Sequence, residues 1–193
     1  MSAHDDWHSC PVTRLDDSIV AAAQAGDQAA FRTLYEALAP SVAGYLRSHG
    51  AADVEALTSE VFLTLFRKLP DLDGGLSGLR TFTFSVAHAR LVDELRARAR
   101  RPVHTAYDPD EDPRTSASAE TVVLDHSATA GALGLLAALG DAQRDVITLR
   151  VVAGLSLEET AATLGRSVGS VKQLQRRALL ALQAVASQAG VTP

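Results

Sequence analysis

The sequence predicts an all-α protein with two helical domains joined by a flexible acidic linker. Apolar residues recur every three or four positions along most of the 193-residue chain, and no segment alternates with a period of two. Hydrophobic residues make up 47% of the composition and aromatic residues only 5%, which is typical of helical cores built on alanine, leucine and valine. One internal stretch, rich in proline, aspartate, serine and threonine, lacks helical periodicity and marks the domain boundary.

The first domain is predicted over residues 15–102, after a disordered tail over residues 1–14. Apolar periodicity predicts four helices, at residues 15–25, 27–50, 53–69 and about 77–100. Glycine or proline stands at the end of each pattern, as expected of helix stop signals, at Gly26, Gly50, Pro70 and Pro102. Pro40 lies inside the second pattern, where a proline bends or divides a helix.

The acidity of the chain is local. The whole chain carries a formal charge of −5, and six acidic residues against one arginine give residues 104–126 the same net charge. Basic side chains cluster on either side of this stretch, at Arg96, Arg98, Arg100 and Arg101, and at Arg166, Lys172, Arg176 and Arg177. The pattern predicts a flexible acidic linker over residues 103–127 between two basic surfaces.

A helix-turn-helix is predicted in the second domain, residues 128–189. Helices are expected over residues 128–139 and 141–152, then a short helix after Ser156 and a last helix after Ser167. Ser156 and Glu159 have the spacing of a capping box. Gly165 suits a left-handed turn, and Ser167 is a favourable N-cap for the last helix.

The last helix has one apolar and one polar face. Its inward side is predicted to carry Val168, Val171, Leu174, Ala178, Leu182 and Val185, and its outward side Gly169, Lys172, Gln173 and Arg176. Arginine and lysine donate to guanine acceptors and glutamine pairs with adenine, so this face suits the DNA major groove. The alternative is an ordinary amphipathic helix with a solvated charged face.

Four segments resemble, in the same order, the short extracytoplasmic-function sigma factors of bacterial RNA polymerase. LGDAQRDV at 139–146, GLS at 154–156 and the turn that follows are similar to region 4 of that family, which binds the −35 element. QAGDQAAF at 24–31 is similar to the opening of region 2, and DVEALTSEVF at 53–62 to its core-binding stretch. Residues 79–96 resemble the segment that melts and reads the −10 element.

The resemblance implies partners and site residues. The implied partners are the RNA polymerase core, through its β′ clamp coiled coil and β flap, promoter DNA and an anti-sigma factor. The implied core-binding residues are Asp53, Glu55, Leu57, Glu60, Val61 and Phe62. Those implied for the −10 element are Arg80, Phe82, His88, Arg96, Arg98, Arg100 and Arg101. Those implied for the −35 element are Arg166, Ser167, Gly169, Ser170, Lys172, Gln173, Arg176 and Arg177.

Other classes of function lack support in the sequence. There is no P-loop, dinucleotide-binding glycine motif, HExxH or nucleophile elbow, so neither an enzyme nor a cofactor is predicted. His4, His8 and Cys10 lack a fourth ligand, and no metal site is predicted. With no long apolar run and no export signal, a cytoplasmic location is expected. The alternative function is a stand-alone helix-turn-helix regulator with an N-terminal helical sensory domain, which binds operator DNA as a dimer without polymerase.

Overall fold

A computed structural model describes residues 15–100 and 134–188 of the chain. Within these residues the regular secondary structure is helical and contains no strand, which confirms the all-α prediction. The predicted tail, the acidic linker, Arg101 and residues 128–133 lie outside the described residues.

Four helices form the N-terminal domain: α1 (Asp17–Gln24), α2 (Gln28–Ser48), α3 (Val54–Lys68) and α4 (Gly75–Arg100). A single 3₁₀ turn, Leu69–Asp71, follows α3. Asp16, Asp27 and Asp53 cap the first three helices, because each carboxylate accepts a hydrogen bond from an amide of the first turn. Pro40 lies inside α2, which continues through it as one helix rather than dividing.

The core of this domain lies between α2, α3 and α4, with α1 packed against α2. Leu34, Tyr45, Leu65 and Phe84 are among its fully buried side chains. Burying one leucine or phenylalanine side chain stabilises a fold by about 1.5–3 kcal/mol. The core therefore fixes the orientation of α3 and α4, the two helices that carry most of the predicted N-terminal site residues.

Over residues 138–188 the C-terminal domain contains three α-helices: α5 (Asp141–Ile147), α6 (Leu157–Leu164) and α7 (Val168–Gln188). A short helical turn at 134–137 precedes α5 and is the described part of the helix predicted over 128–139. The helix predicted over 141–152 is α-helical only as far as Ile147, and residues Thr148–Val152 form a π-helical turn. There the Ala153 amide donates to the carbonyl of Thr148, five residues back, instead of continuing the α-helical pattern.

The two domains pack directly against each other. Leu149, Ala153 and Leu155 of the C-terminal domain are buried in the same apolar cluster as the core residues of α2 and α4. The two predicted helical domains are present, and their direct packing adds to the prediction. Leu149 and Leu155 are fully buried and belong to the apolar cluster formed by the N-terminal domain.

Candidate nucleic-acid interface

The helix-turn-helix has the predicted local structure. The Ser156 hydroxyl accepts a hydrogen bond from the Glu159 amide at 3.0 Å, and the Glu159 carboxylate accepts one from the Ser156 amide at 2.6 Å. Gly165 ends α6 in the left-handed conformation with φ of 60°. The Ser167 hydroxyl accepts from the Ser170 amide at 3.2 Å and so caps α7. The capping box, the glycine turn and the N-cap predicted from the sequence are all confirmed.

One side of α7 is packed against the rest of the domain. Val171 and Ala178 are fully buried, and Leu174 packs against a cluster formed by Val146, Ala161 and Val171. Leu174 is therefore a core residue, as its position on the apolar side predicted. Because these contacts fix the rotation of α7 about its axis, the opposite face is held outward in one orientation.

The structure brings the residues predicted for the −35 element together. They lie on the turn before α7 and on the outward side of its first three turns, which we call the recognition face: Arg166, Ser167, Gly169, Ser170, Lys172, Gln173, Arg176 and Arg177. Ser170 is half-buried and the other seven are exposed. No acidic side chain lies in this segment. The recognition face is therefore cationic and rich in hydrogen-bond donors.

The residues predicted for the −10 element are divided into two groups. Arg96, Arg98 and Arg100 are exposed at the end of α4, which we call the arginine end. Arg80, Phe82 and His88 lie earlier in α4 and are partly buried, and Phe82 packs against the main core. Arg101 lies outside the described residues.

Arg80 and His88 contact other parts of the protein. One Arg80 nitrogen, Nη2, donates to the carbonyls of Ala153 and Gly154 at 2.7 and 2.6 Å. The His88 Nδ1 atom lies 2.8 Å from the hydroxyl of Tyr45. In this arrangement both side chains therefore face the protein rather than an open DNA-binding surface.

The predicted core-binding residues also form two groups. Asp53, Glu55 and Glu60 are exposed on α3 and form what we call the acidic face, where Glu60 lies 3.6 Å from Arg90. Leu57, Val61 and Phe62 are buried in the core instead. Their assignment as contact residues needs correction, because side chains at most 8% exposed have almost no surface to offer a partner. Their packing in the core holds α3 in position.

Sequence reasoning missed a groove between α2 and α3 beside the acidic face. Its lining includes Tyr35 and Pro40 from α2, and Glu55 and Ser59 from α3. The Tyr35 ring packs edge-on against Phe62, with 4.7 Å between ring centroids, yet 43% of the residue remains exposed. Which residues border this groove depends on how α2 and α3 pack together, and the sequence pattern of one helix does not show that.

Two side chains at the domain boundary have shifted pKa values. Burial raises the pKa of Tyr45 well above its ordinary value, and the negative charge and hydrogen bonding of Asp145 act in the same direction. Partial burial opposes ionisation of Glu159, but hydrogen bonds from Ser156 and Ser77 and the charge of Arg80 outweigh it, so its pKa is lowered. Tyr45 is therefore a neutral donor and Glu159 a carboxylate near neutral pH.

Comparison with known families assigns both domains. The model of Sigma-70 region 2 matches residues 34–101, and that of Sigma-70, region 4 matches residues 135–184. Together these matches cover more than half of the chain. The protein therefore belongs to the class of sigma-70-type factors.

Similar proteins identify its group within the sigma-70-type factors. The ECF RNA polymerase sigma factor ShbA of Streptomyces griseus is 36% identical over 91% of this chain and 97% of its own length. The ECF RNA polymerase sigma factor SigD of Mycobacterium tuberculosis is 32% identical over 86% of this chain and 82% of its own. The chain belongs to the ECF RNA polymerase sigma factors, and its function is to direct RNA polymerase to promoters. The stand-alone regulator is not favoured.

Solved structures agree with the fold. CnrH, in complex with the cytosolic domain of CnrY, is 25% identical with a TM-score of 0.65, covering 90% of this chain and 97% of CnrH. RpoE of Bartonella quintana, in complex with the anti-sigma factor NepR, is 20% identical with a TM-score of 0.62, covering 81% and 96%.

Two further classes of feature are absent from the described residues. No helix over 15–100 or 134–188 is long and apolar enough to cross a membrane. The same residues contain no group of three or more histidine, cysteine or acidic side chains arranged to hold a metal ion. His4, His8 and Cys10 lie outside them.

Proposed function

We propose that this sigma factor works through three surfaces: the acidic face of α3 on the polymerase core, the arginine end of α4 beside the −10 element, and the recognition face of α7 on the −35 element. The observation that supports this most directly is the recognition face. Its exposed cationic and amide side chains stand on a helix whose start is capped and whose rotation is fixed by packing.

The recognition face suits a combination of phosphate and base contacts. Arg166 and Ser167 precede the first turn of α7, where backbone amides and the positive end of the helix dipole favour a phosphate. Gln173 and Arg176 lie further along, where an amide and a guanidinium suit adenine and guanine edges in the major groove. We assign the first pair to docking and the second to sequence readout.

The arginine end suits non-specific contacts. Arg98 donates to the Gly50 carbonyl at 3.0 Å and lies 3.8 Å from Glu94, while Arg96 and Arg100 are exposed beside it. Each phosphate that such a side chain neutralises releases counterions and makes the affinity dependent on salt. We assign this surface to the promoter backbone near the −10 element.

The acidic face suits a basic partner surface. Glu55 and Glu60 are exposed on α3, and the groove lined by Tyr35 runs beside Glu55. Carboxylates around an apolar groove favour a partner helix that carries both basic and apolar side chains. We assign this surface to the clamp coiled coil of the β′ subunit, and the C-terminal domain to the β flap.

The remaining assignments follow from the family. We propose that the chain acts in the cytoplasm, where polymerase is found, and that it has no catalytic activity of its own. CnrH was solved in complex with the cytosolic domain of another protein, CnrY. We propose that a protein of the anti-sigma class binds this chain as well and covers the acidic face or the recognition face.

Reconstitution with core polymerase lacking a sigma factor tests the function. The purified chain is expected to bind the core and to support transcription from members of a randomised promoter library. Reversing two charges of the acidic face, with Glu55→Lys and Glu60→Lys together, is expected to weaken core binding by about tenfold or more.

Asp73→Lys supplies the control, because it reverses an exposed charge away from the acidic face. Failure of the unaltered chain to bind core polymerase would overturn the proposed function. Equal losses in the double variant and in Asp73→Lys would remove the specific assignment of the acidic face.

A further inference from the structure

A buried polar cluster joins the two domains. The Asp145 carboxylate of α5 accepts a hydrogen bond from the Tyr45 hydroxyl of α2 at 3.3 Å. The same oxygen, Oδ1, lies 2.9 Å from His49 Nε2 and 3.8 Å from His88 Nδ1. Three side chains of the N-terminal domain thus converge on one carboxylate of the C-terminal domain.

The polar cluster forms only where the two domains pack directly against each other, an arrangement that we call the closed state. Tyr45 is fully buried, and the His49 side chain is only 5% exposed. Across the boundary both face the Asp145 carboxylate, and a buried polar group that loses the group it faces is destabilised. Separating the domains breaks the contacts that Asp145 makes with all three side chains.

A second set of polar contacts lies between α4 and the start of α6. Arg80 donates to the carbonyls of Ala153 and Gly154, and the Ser77 hydroxyl donates to Glu159 at 2.7 Å. Gly154 has φ of +63°, and a Cβ atom there would lie 3.2 Å from Arg80 Nη2. The loop therefore approaches the guanidinium closely at a position that glycine adopts without strain.

Apolar packing completes the boundary. Leu149 and Leu155 enter the core of the N-terminal domain, and Val152 lies against Gly44 of α2. A Cβ atom at Gly44 would lie 3.0 Å from Val152 Cγ1, so the helix and the π-helical turn are in close contact. The closed arrangement thus combines a shared apolar core with two polar contact sets.

This arrangement is incompatible with simultaneous contact to both promoter elements. The −10 and −35 elements are about 25 base pairs apart, or about 85 Å along B-DNA at a rise of about 3.4 Å per base pair. In the closed chain α4 packs directly against α6 of the helix-turn-helix. A compact chain of this length has a radius of gyration of only about 16 Å.

We infer that the closed packing is a resting state of the chain itself, held by an interdomain latch in which Asp145 engages Tyr45, His49 and His88 while Arg80 engages the Ala153–Gly154 carbonyls. The inference rests on the proposed function, together with the role at the −10 element that the family resemblance implies for Arg80 and His88. The latch withholds both side chains from DNA until the domains separate, so core polymerase binding and latch opening are coupled.

An Asp145→Ala variant tests the latch. It removes the carboxylate that faces His49 Nε2 and one of the two partners of the Tyr45 hydroxyl, which keeps His88, so the open population is expected to rise. Because core binding and latch opening are coupled, apparent affinity for core polymerase is expected to increase by about fivefold to tenfold. Asp141→Ala is the matched control, because it removes an exposed carboxylate from the same helix.

The conformation is measured directly in the same variants. Fluorescent labels at Ala29→Cys and Gln183→Cys, both exposed positions, report the distance between domains in a Cys10→Ser background. The unaltered sequence and Asp141→Ala are expected to give the short distance, and Asp145→Ala a larger fraction at long distance. A mainly long distance in the unaltered sequence would overturn the inference.

A reversible crosslink tests the consequence of closure. Gly44→Cys and Val152→Cys, again with Cys10→Ser, place two thiols where a Cβ contact is already close. The oxidised chain is expected to lose core binding and transcription at least tenfold, and reduction is expected to restore both. Equal activity of the oxidised and reduced forms would overturn the latch, whereas inactivity of every form, including the unaltered chain, would instead overturn the proposed function.

Discussion

The polar side chains on the recognition face of α7 are exposed, whereas those in the middle of α4 contact other parts of the protein. On α7, Lys172, Gln173 and Arg176 are exposed. On α4, Arg80 is held by two carbonyls of the other domain and His88 by Tyr45. The same chain therefore presents its −35 surface while it covers part of its −10 surface.

The difference shows that a sequence motif for DNA binding and an available DNA-binding surface are separate properties. The recognition face is built within one domain, so its exposure does not depend on the other. The middle of α4 faces the loop between the π-helical turn and α6, so its exposure depends on how the domains sit. We expect closed chains to sample −35 DNA before the −10 contacts become possible.

The strongest change is expected in DNA binding by the recognition face. Arg176→Ala is expected to weaken binding of a −35 duplex by the isolated chain at low salt by about tenfold or more, because one bidentate base contact contributes about 1–3 kcal/mol. Arg80→Ala is expected to leave that affinity unchanged, since the guanidinium is already occupied. Fluorescence anisotropy with labelled duplex measures both.

Arg32→Ala is the control for loss of one positive charge, because Arg32 is exposed on α2 outside the predicted surfaces. A loss in Arg32→Ala equal to that in Arg176→Ala would show that only net charge matters. A loss in Arg80→Ala equal to that in Arg176→Ala would contradict the difference between the two surfaces.

A smaller change is expected in the unfolding free energy of variants at the domain boundary. Gly154 and Gly165 have nearly equal positive φ values of 63° and 60°, but a Cβ atom meets Arg80 only at Gly154. Alanine at either position is expected to cost about 1–2 kcal/mol of unfolding free energy for the left-handed backbone. Gly154→Ala is expected to cost about 1 kcal/mol more, because it displaces the Arg80 hydrogen bonds.

Urea unfolding of the two variants measures this difference. Gly165→Ala is the matched control, since a Cβ atom there meets nothing within 4 Å. Equal losses in the two variants would indicate that Arg80 contributes nothing to the closed packing.

The smallest expected effect concerns pH at Glu159. Its pKa is lowered in the folded protein from 4.5, so its charge stabilises the fold above that pH, and the contribution disappears as pH falls through the folded value. Glu159→Gln keeps the capping geometry and is expected to cost no more than about 1 kcal/mol at pH 7. The cost is expected to shrink below pH 4.5.

Unfolding free energies between pH 7 and pH 3.5 measure this trend, with Glu158→Gln as the exposed neighbour. The quantity of interest is the difference between the two variants. A difference that stays constant over this range would contradict the assigned role of the Glu159 charge.

Local signals predicted the helices and the helix-turn-helix well. The Ser156–Glu159 capping box, the Gly165 turn and the Ser167 cap each involve residues within a few positions of one another, and all three formed as predicted. Leu174 was also placed correctly, because apolar periodicity identifies the packed side of a helix. Such features need no knowledge of distant parts of the chain.

Assignments on α3 depended on its neighbours. Glu55 and Glu60 are exposed, but Leu57, Val61 and Phe62 are buried. A family motif names a stretch of helix without separating the side chains that touch a partner from those that support the helix. That separation is made by the helices packed against α3.

Periodicity and capping act over single turns, so the amino-acid sequence was sufficient to predict the helical class, the helix boundaries to within a few residues and the polarity of α7. Only the packing of the helices shows that Asp145 meets Tyr45, one hundred positions away, and that Arg80 is held by the C-terminal domain. Contacts at such separation depend on how whole helices pack, and no local pattern of residues encodes them.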